Sequence, residues 1–437
     1  KPLAWRRRQL RSLRALLTEQ SSALEEALHA DLGKHRAEAQ LTEIGATVNE
    51  IDYMLRHLRR WMRPRRTSVP VALLPASARV VREPLGVALI ISPWNYPLHL
   101  ALAPLVGALA AGNCAVLKPS EVSPATSAQL ARLLPQYLDP DAVAVIEGAV
   151  EETTTLLEQR FDHILYTGNG TVGRIVMTAA AKHLTPVTLE LGGKSPALIE
   201  PGIDLATAAR RIAWGKFLNA GQTCVGVDYV LAIGETAEQI APQLAEAVRA
   251  MYGPDPAAST DYGRIINERH FDRLVALLSD GRVVVGGDHD RAARYIAPTV
   301  LADVDPQAAV MAEEIFGPVL PIIGVADLDA AIDFVNQRHK PLAFYAFTSS
   351  RHTRQRILHE TSSGTLSFGA PVAQLSVHSL PFGGVGESGL GRYHGQYSVD
   401  TFSHHKAVLH KPTRPDTLRL AYPPFTRLKQ RVLRRLA

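Results

Sequence analysis

Residues 161–193 read FDHILYTGNGTVGRIVMTAAAKHLTPVTLELGG. HILYT is a short apolar run that ends on a glycine, which is how a buried strand reads. The apolar residues that follow recur at helical spacing among alanines, and they predict a helix over 171–182. VTLEL predicts a second strand over 187–191. Strand, helix and strand within about 30 residues form a βαβ unit, whose two strands must run parallel. The alternation extends upstream. Strands are predicted at 87–91, 114–117, 143–147 and 163–166, and helices at 98–110, 123–133 and 152–158. A second series follows: helix 203–218, strand 229–233, helix 235–250, then strand 342–347 and helix 350–359. The fold class is therefore α/β, with two doubly wound α/β domains in contact. A seam between such domains is where a site usually lies.

Outside the two series, residues 1–63 read as long helices ended by Pro64, and 69–91 read as extended. The chain has 437 residues, 46% of them hydrophobic and 20% charged, so a large core is expected and disorder is not. The net charge of +5 is concentrated in 6–14, 56–66 and 427–435. In 51–62 the arginines lie opposite a helical apolar stripe, and no nucleic-acid motif accompanies them, so no nucleic-acid partner is expected. Only 97–117 is apolar enough to suggest a membrane span. Prolines, glycines and Asn113 interrupt it, so it reads as a buried helix and strand, and no integral membrane segment is expected. Two cysteines, Cys114 and Cys224, exclude a disulfide scaffold and suit a reducing, cytoplasmic setting. The histidines show no metal-ligand spacing, so no metal is expected.

Several segments could carry chemistry. Cys224 sits in FLNAGQTCVG, a small-residue loop fit for an approachable thiolate, although a buried inert cysteine reads equally well. Glu190 ends a strand before Gly192 and Gly193, where a carboxylate could be a general base, although a helix cap or a salt-bridged surface glutamate fits the same position. Gly168-x-Gly170-x-x-Gly173 matches the dinucleotide fingerprint, and Glu190, 22 positions after Gly168, could equally be its ribose anchor. Spacing does not separate these roles. Asn95 in PWNYP offers an amide donor for an oxyanion. Lys118 and Glu121 in KPSE could grip a ribose diol. EEIFGP (313–318) and LPFGGVGESGLGRYHG (380–395) read as loops that approach a ligand or another chain.

Together with DYGRIINERHF, DTFSH and YPPF, these runs span about residues 40–425. They resemble the aldehyde dehydrogenase superfamily, and within it the class 3 group of fatty, aromatic and coniferyl aldehyde dehydrogenases. The resemblance implies NAD(P)-dependent oxidation of an aldehyde, medium- or long-chain aliphatic or aromatic, to its acid. The cofactor would be NAD, with NADP possible. Catalysis would rest on Cys224 as nucleophile, Glu190 as base for water and Asn95 as oxyanion donor. Pro93, Trp94, Lys118, Ser120, Glu121, Gly168, Asn169, Gly173, Leu191, Gly192, Glu314 and Phe316 would bind the cofactor. The ribose ligands then come from KPSE and Glu314, which frees Glu190 to act as base.

The resemblance also implies a domain plan. Residues 1–65 and 85–192 would form the Rossmann-like NAD(P) domain and 193–396 the catalytic domain. A small β arm, 66–84 and 397–412, would bridge a homodimer, and 413–437 would be a tail. Class 3 relatives with a membrane anchor carry an apolar tail beyond YPPF, whereas RVLRRLA is polar, so no anchor is expected. Departures from the class pattern are VGVDY after Cys224, GTLSFGA at 364–370 and Glu387 in GVGESG. They bear on the choice of substrate. The alternatives are a CoA-acylating semialdehyde dehydrogenase, which would not need Glu190, and a non-enzymatic binding protein on the same fold.

Overall fold

The structure is a computed structural model describing residues 1–436. Ala437, the end of the expected tail, lies outside the described residues. The first sheet has six strands in the spatial order Gly389–Leu390, Val187–Glu190, His163–Thr167, Val87–Ile91, Cys114–Lys118, Val143–Val145. All neighbours pair parallel except the first two. The chain builds outward from Val87–Ile91 in one direction, then returns to extend the sheet in the other. The order therefore reverses beside Val87–Ile91, and the loops after Ile91 and Thr167 open at that switch point.

Both faces of this sheet are covered, as a parallel sheet requires. Ala88 and Ile90 join a core shared with the helices Leu3–Glu19, Gly45–Trp61, His99–Ala111 and Pro124–Tyr137. The alternate residues Leu89 and Ile91 face Leu157, Val176 and Ala180, which come from Val150–Glu158 and Gly170–Ala181. His99–Ala111 is buried on all sides, which accounts for the apolar run at 97–117. Among the described residues no helix is long and apolar enough to cross a membrane.

The second sheet has seven strands in the order Arg282–Val285, Thr299–Ala302, Val319–Val325, Tyr229–Ile233, Pro196–Ile199, Ala343–Phe347, Thr365–Phe368. The helices Leu205–Phe217 and Thr236–Tyr252 share its core. A third, antiparallel sheet joins Arg65–Thr67, Ser77–Pro84 and Ser403–His410.

Two expectations need correction. Residues 69–76 are not a strand: Val71–Leu73 forms a 3-10 turn, and the strand begins at Ser77. Pro70 and Pro75 lack the N–H that a ladder needs. The expected boundary at 396 also fails to follow the pairing. Gly389–Leu390 adds an antiparallel edge to the first sheet, and Val399 and Phe402 lie in that sheet's core. Residues 389–402 thus leave the second series and return to the first before the arm strand begins.

Candidate active site

Cys224 lies in the loop between Leu205–Phe217 and Tyr229–Ile233. This loop turns through three left-handed residues, Asn219, Ala220 and Gly221, with φ of 53°, 51° and 76°. Such strain persists only where the surroundings over-determine it. Gln222 does so. Its Nε2 donates to Asn219 O and Arg264 O, each at 3.0 Å, and its Oε1 accepts from Ile266 N at 2.9 Å. A β-carbon at Gly221 would collide with the carbonyl of Gly317. The cysteine loop and the 313–318 segment therefore touch.

Asn95 follows the switch-point strand Val87–Ile91. Its Nδ2 donates to Gln222 O at 3.0 Å, two residues before Cys224, which leaves one amide hydrogen. Its backbone carbonyl accepts from Asn219 Nδ2 at 2.8 Å. Tyr96 Oη and Thr223 Oγ1 share a hydrogen bond of 2.6 Å. These bonds fasten the loop of one sheet to the loop of the other and bring Asn95 to the cysteine.

Glu190 ends Val187–Glu190, opposite Thr167. Its side chain is 2% exposed, and neither carboxylate oxygen has a hydrogen-bond partner. A helix cap or surface ion pair is thereby excluded. Burial pushes its pKa well above the usual carboxylate range. Glu314 rises to about 8, first through burial and then through Asp228. Cys224 is pushed up to about 12, first by burial and then by the nearby Glu314 and Glu190. The N–H groups of Val225 and Cys224 pull in the opposite direction. Cys224 thus lies within electrostatic reach of both carboxyl groups.

The remaining expected residues line the switch point. Pro93 and Trp94 are in the loop after Ile91, and the Trp94 ring meets Phe316 edge-on at 5.3 Å. Phe316 takes a left-handed φ of 51°. Lys118 ends its strand buried, and its Nζ donates to Pro119 O at 2.8 Å and to the exposed Glu121 at 3.2 Å. Ser120 Oγ accepts from Val122 N at 3.2 Å. Asn169 caps Gly170–Ala181 by accepting from Val172 N, and Gly173 packs against Leu191. The Glu314 carboxylate fills the space that a β-carbon at Gly192 would need, and its Oε1 has no partner. Unpartnered carboxylate oxygens, a preset Lys–Glu pair and a helix N-terminus free of bulk fit a dinucleotide. Among the described residues no three His, Cys, Asp or Glu are grouped to hold a metal ion.

Sequence reasoning missed the support beneath the site. Lys194 Nζ donates to Asp228 at 2.6 Å and to the carbonyls of Val310 and Glu313 at 2.8 Å each. Asp228 accepts in turn from Ile315 N at 3.1 Å. Glu314 is held in place by this ion pair. Burial lowers the pKa of Lys216, also beside Asp228, to about 8. Tyr393 points a buried, unpartnered hydroxyl into the region that Glu190 and Cys224 influence. One signal was legible: Lys216 and Asp228 are charges inside apolar runs, which do not stay buried unpaired. Of the departures, Glu387 pairs with Arg174 on Gly170–Ala181, and Gly369 accepts from Arg211 at 2.7 Å.

The geometry brings a thiol, Cys224, and a buried carboxyl without a partner, Glu190, to the loops that join the two α/β sheets. The family model "Aldehyde dehydrogenase family" matches residues 1–408. Aldehyde dehydrogenase family 3 member B1 of Bos taurus is 52% identical over 434 residues, covering 99% of this chain and 93% of the relative. Among solved structures, the substrate-bound state of Staphylococcus aureus AldH superposes with a TM-score of 0.97 at 41% identity, covering 100% of this chain and 96% of the other. A Mycobacterium tuberculosis aldehyde dehydrogenase complexed with NAD+ gives 0.84 at 31% identity, covering 93% and 85%. The chain belongs to the aldehyde dehydrogenase family. It is an NAD(P)-dependent oxidoreductase that acts on aldehydes.

Proposed function

We propose that the chain oxidises medium- or long-chain aliphatic or aromatic aldehydes to carboxylic acids, with Cys224, Glu190 and Asn95 as the reacting and stabilising groups. The observation that carries this reading is the buried Glu190 carboxyl, which has no partner of its own yet influences Cys224. The Cys224 thiol gives up its proton to solvent water, and the thiolate sulfur adds to the aldehyde carbon. The oxygen of the adduct gains negative charge, and the free Asn95 amide hydrogen and the backbone N–H of Cys224 stabilise it. Lys118, Ser120, Glu121, Glu314 and the loops at 93–94, 168–173 and 191–192 beside Phe316 would hold NAD(P)+, which would supply the hydride acceptor needed to leave a thioester on Cys224. Glu190 then takes a proton from water, which attacks the thioester and releases the acid. Its raised pKa makes it a stronger base than an ordinary carboxylate.

The test is aldehyde-dependent NAD(P)H formation over a series of aliphatic and aromatic aldehydes with each cofactor, alongside the Cys224→Ser variant. Turnover should rise with apolar chain length and vanish in the variant. Full activity in Cys224→Ser would sink the reading.

We propose further that residues 1–65 and 85–192 serve as the cofactor unit and the second sheet as the catalytic unit. Among the described residues the Ser403–His410 strand pairs only with Ser77–Pro84, so its outer edge is open to a second copy of the chain in a homodimer. Sedimentation as a monomer at micromolar concentration would refute that assembly. Two free thiols suit a cytoplasmic setting, which fractionation of a tagged chain tests.

A further inference from the structure

Lys34 and Glu43 form an ion pair with no exposed side-chain surface. Glu43 lies in a π-helical turn, Gln40–Ile44, that precedes Gly45–Trp61. Such turns often mark functional sites, because the extra residue re-aims a side chain. Here it aims Glu43 at the start of His99–Ala111. Its Oε2 accepts from Leu98 N at 2.9 Å and from His99 N at 3.2 Å. The Lys34 ammonium lies 3.5 Å from the carbonyl oxygen of Asn95 and 4.3 Å from the centre of the Tyr96 ring. One buried pair thus touches Asn95, Tyr96, Leu98 and His99 in turn.

Stability alone does not call for this arrangement. Burying two charges costs several kcal/mol of desolvation per ion, and well-packed apolar residues of similar volume often hold a fold as well. What the pair adds is direction. It holds the Asn95 carbonyl and the Leu98 and His99 N–H groups and packs on the Tyr96 ring, while Asn219 and Gln222 tie Asn95 to the cysteine loop.

We propose that the Lys34–Glu43 pair is a positioning device for the reaction: it fixes the Asn95–His99 backbone so that the Asn95 amide meets the oxygen of the aldehyde adduct on Cys224. The proposal rests on the reading of Asn95 as an oxyanion donor. Displacing such a donor by about 1 Å costs up to about 100-fold in rate. Lys34 and Glu43 are positioning residues and need no contact with substrate.

The test uses Lys34→Met/Glu43→Leu, which removes both charges at similar volume. The variant should keep a near-parental Tm and NAD(P) KM, while kcat falls about 10- to 100-fold. In an Asn95→Ala background the same double change should cost less than about 2-fold, because no amide remains to be aimed. Parental kcat in the double variant, or an equal loss in both backgrounds, overturns the proposal. Parental kcat in Asn95→Ala alone overturns the reading of Asn95 and the proposal with it. If the double variant fails to fold, Glu43→Gln in the same two backgrounds gives the same readout.

Discussion

Gly192 and Glu314 stand in contact across the two sheets: the Glu314 carboxylate occupies the volume of a β-carbon at 192. Gly192 follows the Val187–Glu190 strand of the first sheet, and Glu314 belongs to the loop that Lys194 and Asp228 hold. A methyl group at 192 should displace the flexible end of Glu314 rather than disturb the fold. Gly192→Ala is expected to raise the NAD(P) KM about 10-fold, with a stability change under about 1 kcal/mol. Steady-state kinetics and a thermal melt check both. An unchanged KM would remove Glu314 from the cofactor site.

Glu190→Gln should separate the two half-reactions. Formation of the thioester does not need the base, so a rapid burst of about one NAD(P)H per site is expected. The steady state should then fall about 100- to 10,000-fold, the usual worth of a general base. Stopped-flow absorbance reads both phases. Loss of the burst would place Glu190 in the first step instead.

The pH dependence of stability follows from Glu314. Its pKa is about 8 in the folded chain against 4.5 for the ordinary group. Between those values the folded chain retains a proton that the unfolded chain has lost. The stabilisation is therefore present at low pH and is lost as pH rises through the window. Glu314→Gln removes this penalty, so its Tm should gain on the parent steadily from pH 5 to pH 9. A gap constant with pH would contradict the raised value.

Burial and two carboxyl groups hold the Cys224 thiol near 12. Alkylation of the free protein by iodoacetamide should therefore accelerate about tenfold per pH unit from 7 to 9, following the thiolate fraction. A plateau within that range would show a lower thiol pKa than the surroundings imply.

Arg174 and Glu387 show how magnitude ranks a departure. Both side chains are about half exposed, and exposed ion pairs contribute about 0–1 kcal/mol. Glu387→Asn is expected to leave Tm within about 1 °C, measured by differential scanning fluorimetry. A large loss would mean that the pair orders the 383–391 loop.

Local patterns in the chain were sufficient for the five parallel strands of the first sheet and for two of the seven strands of the second, because buried parallel strands and their crossover helices write their periods into contiguous residues. Strand Tyr229–Ile233 begins and ends where the pattern puts it. The quoted motifs sufficed for the family and for the candidate residues Cys224, Glu190 and Asn95. The tertiary structure alone decided the rest. Whether Glu190 had a partner depended on neighbours distant in sequence, and those neighbours offer none. The return of 389–402 to the first sheet rests on Gly389–Leu390, a two-residue strand too brief to carry a period. The Lys34–Glu43 and Lys194–Asp228 pairs lie in segments that read alone as ordinary charged helix and loop. Charges reveal their work only when the fold buries them beside the groups they hold, and burial is a property of the assembled chain.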